Sequence, residues 1–333
     1  MVVNDNIGII RAMMKIAILA LDGVFDTGLS VFLDLFSAAN EVAAEQGAAR
    51  PPFELRVVGV RQRIRTAHGL TMGVDPADAL RQPDWVLVPA LNTKQPARLV
   101  EALGRRDVRD AMAMLRSWHA QGSGVGGACI ASFLLAETGL LDGQEATTMW
   151  PLAPLFRERY PRVRLDESRM VVASGRVVTA GAAMGHLDLA LWLMRQASPE
   201  TAALVSRLML VDKRPSQAQY IIPDHLAHAD PLIERFERWA RERLARGFSL
   251  HDAADALAVS PRTLQRRMEA VLGKSPLAFF QDLRVEHAQH LVSIGQGLEE
   301  IASEVGYADA ATVRSLLRRK LGRGVRELRS ALA

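Results

Sequence analysis

A single cysteine, Cys129, stands in a chain of 333 residues. One thiol excludes an intramolecular disulfide and any zinc site built on several cysteines, and it fits a reducing compartment, the cytoplasm. Long apolar runs are missing too: Glu137 and Asp188 interrupt the best candidates, so none reaches the roughly 18 uncharged residues of a membrane-spanning helix. The run from Ile16 to Leu21 ends at Asp22, too soon for the apolar region of a secretory signal. Gly122, Gly124, Gly126 and Gly127 lie between a strand and a helix without the G-x-G-x-x-G spacing and downstream acid of a dinucleotide site. His225 with His228, and His287 with His290, have the i,i+3 spacing of a metal clamp but no third ligand. No cofactor, metal or membrane is expected from this text.

The chain is 49% hydrophobic, enough for a substantial core divided over two or three units. Its net charge of +4 is uneven: residues 230–333 hold 17 Lys+Arg against 14 Asp+Glu, and the first 229 hold 24 against 23. Acids are scarcest in Arg314–Arg329, where seven basic residues accompany one acid, Glu327. Such a run is either a solvated helix face or a footprint for phosphate.

From Lys15 to about Gln196 strands alternate with helices. "KIAILALDG" (15–23), "FELRVVGV" (53–60), "DWVLVPA" (84–90), "SGVGGAC" (123–129) and "RVVTAG" (176–181) read as strands. "LSVFLDLFSAANEVAAEQG" (29–47), a stretch covering roughly 96 to 121, "IASFLLAETG" after Cys129, and "HLDLALWLMRQA" (186–197) read as helices. Continuous apolar strands separated by helices predict an α/β doubly wound parallel sheet with both faces covered. The expected division is an α/β domain at 14–210, a linker at 211–230, and an all-α domain at 231–333.

The helical part repeats itself. Ser260, Leu264, Met268, Leu272 and Gly273 recur 49 positions later as Asp309, Val313, Leu317, Leu321 and Gly322. Each copy is a helix with a capping side chain, one apolar face and a terminal glycine. Each follows a shorter helix, "SLHDAADALAV" (249–259) or "LEEIASEVGYA" (298–308). Ser249 and Asp252 have capping-box spacing, Ala254 and Ala302 allow close crossing, and Gly306 supplies a tight turn. These features predict two helix-turn-helix units, at 249–272 and 298–321, although a plain bundle of helical hairpins shares the periodicity.

The outward residues favour the first reading. They are Pro261, Arg262, Gln265 and Arg266 in one copy, and Ala310, Ala311, Arg314, Ser315 and Arg318 in the other. Arg and Gln pair bidentately with guanine and adenine edges, and Ala meets thymine methyls. Residues 232–331 resemble the DNA-binding domain of the AraC family, in which a long helix joins two helix-turn-helix units. "SPRTLQRRMEAVLGKSPLAFFQDLRVEHAQHLV" (260–292) and "IASEVGYADAATVRSLLRRKLG" (301–322) carry the resemblance. Val313 and Leu317 stand where the family usually has aromatics, and Gly324-Val325 replaces the Ser-Pro seen here at Ser275-Pro276. The expected ligand is double-stranded DNA, entered at two adjacent major grooves. Base contacts are expected from Arg262, Gln265, Arg266, Ala311, Arg314, Ser315 and Arg318, and phosphate contacts from Thr263, Thr312 and Arg319.

Cys129 sits where a strand runs into a helix, the outline of a nucleophile elbow, and equally a place for a small apolar residue. The first 200 residues resemble PfpI-like proteases and class I glutamine amidotransferases, and within them the GlxA-like regulators fused to AraC domains. "ALDGVFDTGLSVFLDLFSAAN" (20–40), "GACIASFLLAETGLLDGQEATTMW" (127–150) and "TAGAAMGHLDLALWLM" (179–194) carry that resemblance. The resemblance implies a histidine directly after the cysteine, where Ile130 stands, and one before the tryptophan, where Met149 precedes Trp150. The acid that pairs with the cysteine falls near Gly28, two residues from Asp26. These departures imply no enzyme but a pseudoenzyme, with Asp26, Cys129, Ile130 and Met149 lining an effector pocket and no catalytic residue. The whole then reads as a cytoplasmic, nucleoid-associated transcription regulator. It forms a homodimer governed by a small molecule or by oxidation at Cys129, with RNA polymerase as a further partner. The alternative is a DNA-tethered amidase, peptidase or glyoxalase-like enzyme using Cys129.

Overall fold

In the computed structural model, residues 13–77, 82–93, 95–212, 214, 216–217, 221, 230–321 and 324–330 are described, residues 329 and 330 by their backbone alone. The chain divides into two compact units. One comprises residues up to Trp150 together with Arg162–Ser216; the other comprises Pro151–Pro161 and the chain from Gln217 onward. Most of the stretch 211–230, including His225 and His228, lies outside the described residues.

The first unit is built on β1 (Met14–Leu19), α1 (Asp26–Glu45), β2 (Phe53–Gly59), β3 (Arg63–Arg65), β4 (Thr71–Gly73), β5 (Asp75–Pro76) and β6 (Trp85–Val88). It continues through α2 (Pro96–Leu103), α3 (Arg106–Ala120), β7 (Gly124–Ala128), α4 (Ala131–Glu137) and β8 (Glu145–Ala146). After α5 (Ala153–Arg159), which groups with the second unit, come β9 (Arg164–Leu165), β10 (Val171–Ser174), β11 (Val177–Ala180), α6 (Gly185–Ala197) and α7 (Pro199–Leu208). The sheet runs β10-β11-β7-β6-β1-β2-β5. Every pairing in it is parallel except β10 with β11, an antiparallel edge hairpin.

Burial on both sides explains the unbroken apolar strands: Ile16, Ala17, Ile18 and Leu19 of β1 are all fully covered. Ile16, Ile18, Leu87, Ala128 and Val178 share one cluster with Phe32, Leu35 and Phe36 of α1 and Leu189, Leu193 and Met194 of α6. Each fully buried Leu or Phe contributes roughly 1.5–3 kcal/mol. The stretch 96–121, expected as one helix, is two, because the chain turns at Gly104 between α2 and α3. The winding of the sheet reverses between β1 and β6, where the chain leaving each strand meets the other: Val24 bridges Leu91, and the Phe25 amide donates to the Ala90 carbonyl at 2.7 Å.

From Asp230 onward the described residues of the second unit are helical. A helix at Pro231–Arg241 leads through a 3-10 turn to short helices at Leu250–Ala256 and Pro261–Leu272. The long helix Pro276–Ser293 follows, then Leu298–Glu304, Ala310–Leu321 and Val325–Ser330. Among the described residues no helix is long and apolar enough to cross a membrane.

Candidate nucleic-acid interface and the Cys129 elbow

The capping residues of both repeats act as their spacing predicts; Gly322, expected to end the second helix of the second copy, lies outside the described residues. In the first, Ser249 caps its helix by accepting the Asp252 amide at 3.2 Å, and Ser260 caps the following helix, Pro261–Leu272, by accepting the Thr263 amide at 3.0 Å. Gly273 ends that helix in the left-handed region at φ +64. In the second, Asp309 accepts the Thr312 amide at 2.7 Å, and this bond holds its carboxyl below the usual carboxylate range. The exit turn at Gly324 is closed differently from that at Ser275. Ser275 accepts the Ala278 amide at 3.2 Å, whereas the Gly324 amide donates to the Glu327 carboxylate at 2.9 Å.

Packing then sorts the faces. Leu264, Met268 and Leu272 are buried in the helix Pro261–Leu272, and Val313 and Leu317 in its counterpart Ala310–Leu321. Ala254 and Ala302 are buried beneath them. Arg262 and Arg266, and Ala311, Thr312, Arg314, Ser315, Arg318 and Arg319, are exposed, while Thr263 and Gln265 are half-buried. One expected outward residue is not there: Ala310, in the first turn, is buried with Leu316, which the apolar spacing of four had left out. A stripe following 313, 316 and 317 is wider than a spacing of four alone, and Ala310 falls under its edge.

Several expected contact groups are already engaged within the chain. The Thr312 hydroxyl donates to Asp309 at 3.3 Å, the Thr263 hydroxyl lies 2.8 Å from that of Ser260, and Gln265 donates to Glu269. Arg267 is paired with Asp230, which caps the helix Pro231–Arg241.

The linking helix Pro276–Ser293 ties both repeats together through its polar residues. Arg284 is buried; it donates twice to the Leu244 carbonyl, at 3.0 and 2.7 Å. Its guanidinium lies 4.8 Å from the Phe280 ring centre and 4.9 Å from that of Tyr307. Carbonyl bonds and two aromatic faces offset the cost of removing this cation from water. Tyr307 in turn donates to Gln281, Glu286 accepts from Arg241 at 2.7 Å, and His287 lies 3.7 Å from Glu304. Asp282 accepts from Lys274 and from Lys320, each at 3.0 Å.

In the first unit, Cys129 stands between β7 and α4 at φ +58, a left-handed backbone that costs a non-glycine residue roughly 1–2 kcal/mol. Hydrogen bonds hold it there. Its amide donates to the Ala180 carbonyl at 2.8 Å, and its carbonyl accepts the hydroxyls of Ser132 at 2.7 Å and Thr148 at 3.4 Å. The thiol is buried and contacts the Met149 sulfur at 3.6 Å; Ile130 beside it is buried too. Asp26 opens α1 at the edge of β1. Burial pushes its carboxyl up, but hydrogen bonds from Thr66 and His68 outweigh this and leave it below the usual range. Its Oδ2 lies 2.8 Å from the exposed His68 ring.

The strongest feature that sequence reasoning passed over is His186, at the start of α6. It is fully buried, and burial pushes its pKa down to about 4. Its Nε2 accepts the Ala90 amide at 3.0 Å and its Nδ1 donates to the Ala183 carbonyl at 2.8 Å, so the ring is neutral and both nitrogens are used. Phe25 and Phe32 lie against it, with ring centres 5.9 and 5.3 Å away. A β-carbon at Gly28 would fall 2.5 Å from Nε2. The imidazole therefore fills the room that a side chain at position 28 would need.

A family model described as DJ-1/PfpI matches residues 14–196, and one described as a helix-turn-helix domain matches residues 253–331. The transcriptional regulator GbdR of Pseudomonas aeruginosa is 26% identical over 208 residues, 61% of this chain and 56% of that protein. GlxA of Rhizobium meliloti, also a transcriptional regulator, is 26% identical over 230 residues, 62% of this chain and 64% of that one. The chain thus spans a little over half the length of GbdR. A crystal structure of a candidate transcriptional regulator from Vibrio parahaemolyticus superposes with a TM-score of 0.50 at 18% identity, over 59% of this chain and 99% of that one, and so shares the fold of the first unit.

Proposed function

The chain belongs to the DJ-1/PfpI family and carries a helix-turn-helix domain of the AraC type, and from that premise we infer that it is a sequence-specific DNA-binding transcription regulator. The observation that carries the reading is the pair of equivalent helices, capped at Ser260 and Asp309. They bury their apolar faces and leave Arg262 and Arg266, and Arg314 and Arg318, in water. The relatives named as transcriptional regulators support it. Arg262, Gln265, Arg266, Ala311, Arg314, Ser315 and Arg318 read base edges, and Thr263, Thr312 and Arg319 hold the register on phosphates.

The first unit acts in this reading as a sensor without catalysis, in the cytoplasm and at the nucleoid. Its thiol is buried against a thioether, its one deeply buried histidine is neutral and occupied at both nitrogens, and Asp26 is engaged with His68. A base able to activate Cys129 is not supplied by those groups. Asp26, Cys129, Ile130 and Met149, at the carboxyl edge of the sheet, form the place for a small effector, since ligands of open α/β sheets bind there. Pairing of two copies through this unit brings two readers onto one promoter and raises the effective concentration of the second. RNA polymerase is the further partner of a regulator so placed.

The test is selection of bound sequences from random duplexes by the full-length protein, followed by titration of the selected duplex between 50 and 200 mM salt. Enrichment of a defined sequence, with affinity falling by about three orders of magnitude or more over that range, is expected of several phosphate contacts. Enrichment of no sequence, or affinity indifferent to salt, overturns the reading.

A further inference from the structure

We propose, on the reading of the helical unit as a reader of two grooves, that Asp282 is a positioning residue that sets the spacing at which the two half-sites are read. Its carboxylate is the meeting point of two lysines from opposite halves of the repeat. Lys274 directly follows the glycine that ends the first reading helix, and Lys320 lies in the last turn of the second. Each ammonium is 3.0 Å from a different oxygen of the same carboxylate, Lys274 from Oδ2 and Lys320 from Oδ1.

The arrangement is not a product of the internal symmetry. Lys274 pairs in the repeat with Arg323, three residues beyond Lys320, so the convergence brings together two unlike positions. It is also sheltered for a surface cluster: the Asp282 side chain is 19% exposed, Lys274 26% and Lys320 40%. Isolated surface pairs add little stability, and the role assigned here is angular. A carboxylate on the linking helix that holds the ends of both reading helices limits how far one can swing against the other.

Arg284 and Tyr307 bind the halves near the turn of the second unit, so the second reading helix is tethered at both ends, by Tyr307 before its start and by Lys320 near its finish. Without Asp282 the polar tether at the end of the helix is lost, and that end, then held only through the apolar face that buries Val313, Leu316 and Leu317, gains freedom to pivot. One base pair more or less between half-sites moves the second groove by about 3.4 Å and turns it by about 35°, so freedom to pivot becomes tolerance of spacing. Charge supports the same assignment. The two ammonium groups that the carboxylate occupies are drawn to the linking helix, which leaves phosphate contact to the arginines.

The experiment uses the full-length protein and a duplex selected by the wild-type protein from random sequence, with its two contacted segments mapped by phosphate ethylation. One base pair is then inserted or removed between the segments. Wild type is expected to lose about ten-fold or more in affinity for either altered spacing, and Asp282→Asn no more than about three-fold, each relative to its own affinity for the selected duplex. The ratio within one protein cancels the general gain in affinity that removal of a negative charge brings. Asp282→Glu is expected to restore the penalty. Lys320→Met, which leaves the Asp282–Lys274 pair in place, is expected to relax it as Asp282→Asn does, and it decides the matter if Asp282→Asn does not fold. Spacing profiles identical to wild type in Asp282→Asn, or in Lys320→Met where that variant decides, overturn the assignment while leaving the DNA reader intact. A selected site with a single contacted segment removes the two-groove reading and the assignment with it.

Discussion

A β-carbon added at Gly306 would lie 2.5 Å from Nη2 of Arg284 and 2.6 Å from the carbonyl oxygen of Leu244. The turn of the second helix-turn-helix is thus pressed onto the buried guanidinium of the linking helix and onto the backbone that precedes the first helix-turn-helix. Gly306 also sits at φ +71, where side chains are strained. Gly306→Ala is expected to destabilise the protein by about 2–4 kcal/mol, since neither the carbonyl nor the buried cation can withdraw. Urea unfolding measures this; a loss below about 0.5 kcal/mol would mean that the turn is not held as described.

On the DNA side, the arginines should separate into two kinds. Arg314→Ala and Arg318→Ala are expected to cost roughly 1–3 kcal/mol on the selected duplex and to relax the preference at one or two base pairs. Arg319→Ala is expected to weaken selected and unrelated duplexes alike and to lower the salt slope by about one. Quantitative binding to a panel of single-base variants distinguishes them. Unchanged preference after Arg314→Ala takes that residue off the base edges.

The apolar faces set a further expectation. Met268 and Leu317 are fully buried at equivalent places in the two repeats, so truncation of either to alanine should cost about 2–5 kcal/mol through lost burial and a residual cavity. Thermal or urea unfolding checks it. Tolerance of either change would place that helix outside a packed core.

His186 gives the first unit a defined acid sensitivity. Its folded pKa, about 4, lies below the ordinary value of 6.5 because burial disfavours the charged ring. Above pH 6.5 both folded and unfolded chains hold it neutral, and its contribution is intact. As pH falls from 6.5 to 4 the unfolded chain takes up a proton that the folded chain refuses, and about 3 kcal/mol of stability is lost. Unfolding free energies at pH 7.5 and 4.5 should therefore fall further apart in the wild type than in His186→Gln. Equal differences in the two proteins would show that the ring is reached by water or a counter-charge.

The state of Cys129 can be read by alkylation. A thiol buried against Met149 should react with iodoacetamide at neutral pH at least about ten-fold more slowly than a free thiol of pKa near 8.5. Full reactivity should return in urea. Fast native labelling would restore the enzyme reading of the first unit.

Much of this molecule is written locally. The caps at Ser249, Ser260, Asp309 and Ser275, the left-handed stop at Gly273 and the Leu264–Met268–Leu272 stripe each depend on residues within one or two helical turns. The repeat and the exposed arginines were therefore legible from spacing alone. The same holds for the strand-to-helix break at Cys129 and for the run of fully buried strands.

What spacing did not carry depends on residues far apart in the chain. Ala310 turned inward because the stripe of its helix widens to include Leu316 against the linking helix. His186 became a neutral core residue because Ala90, 96 positions away, supplies its amide and Gly28 leaves it room. Lys274 and Lys320 met on Asp282 only when the linking helix placed both ends within reach. Helix and strand periodicity report which face is apolar, a one-dimensional property. The partner of a buried polar group is chosen by topology, because only the folded chain decides which distant donor or acceptor replaces the water that burial removes.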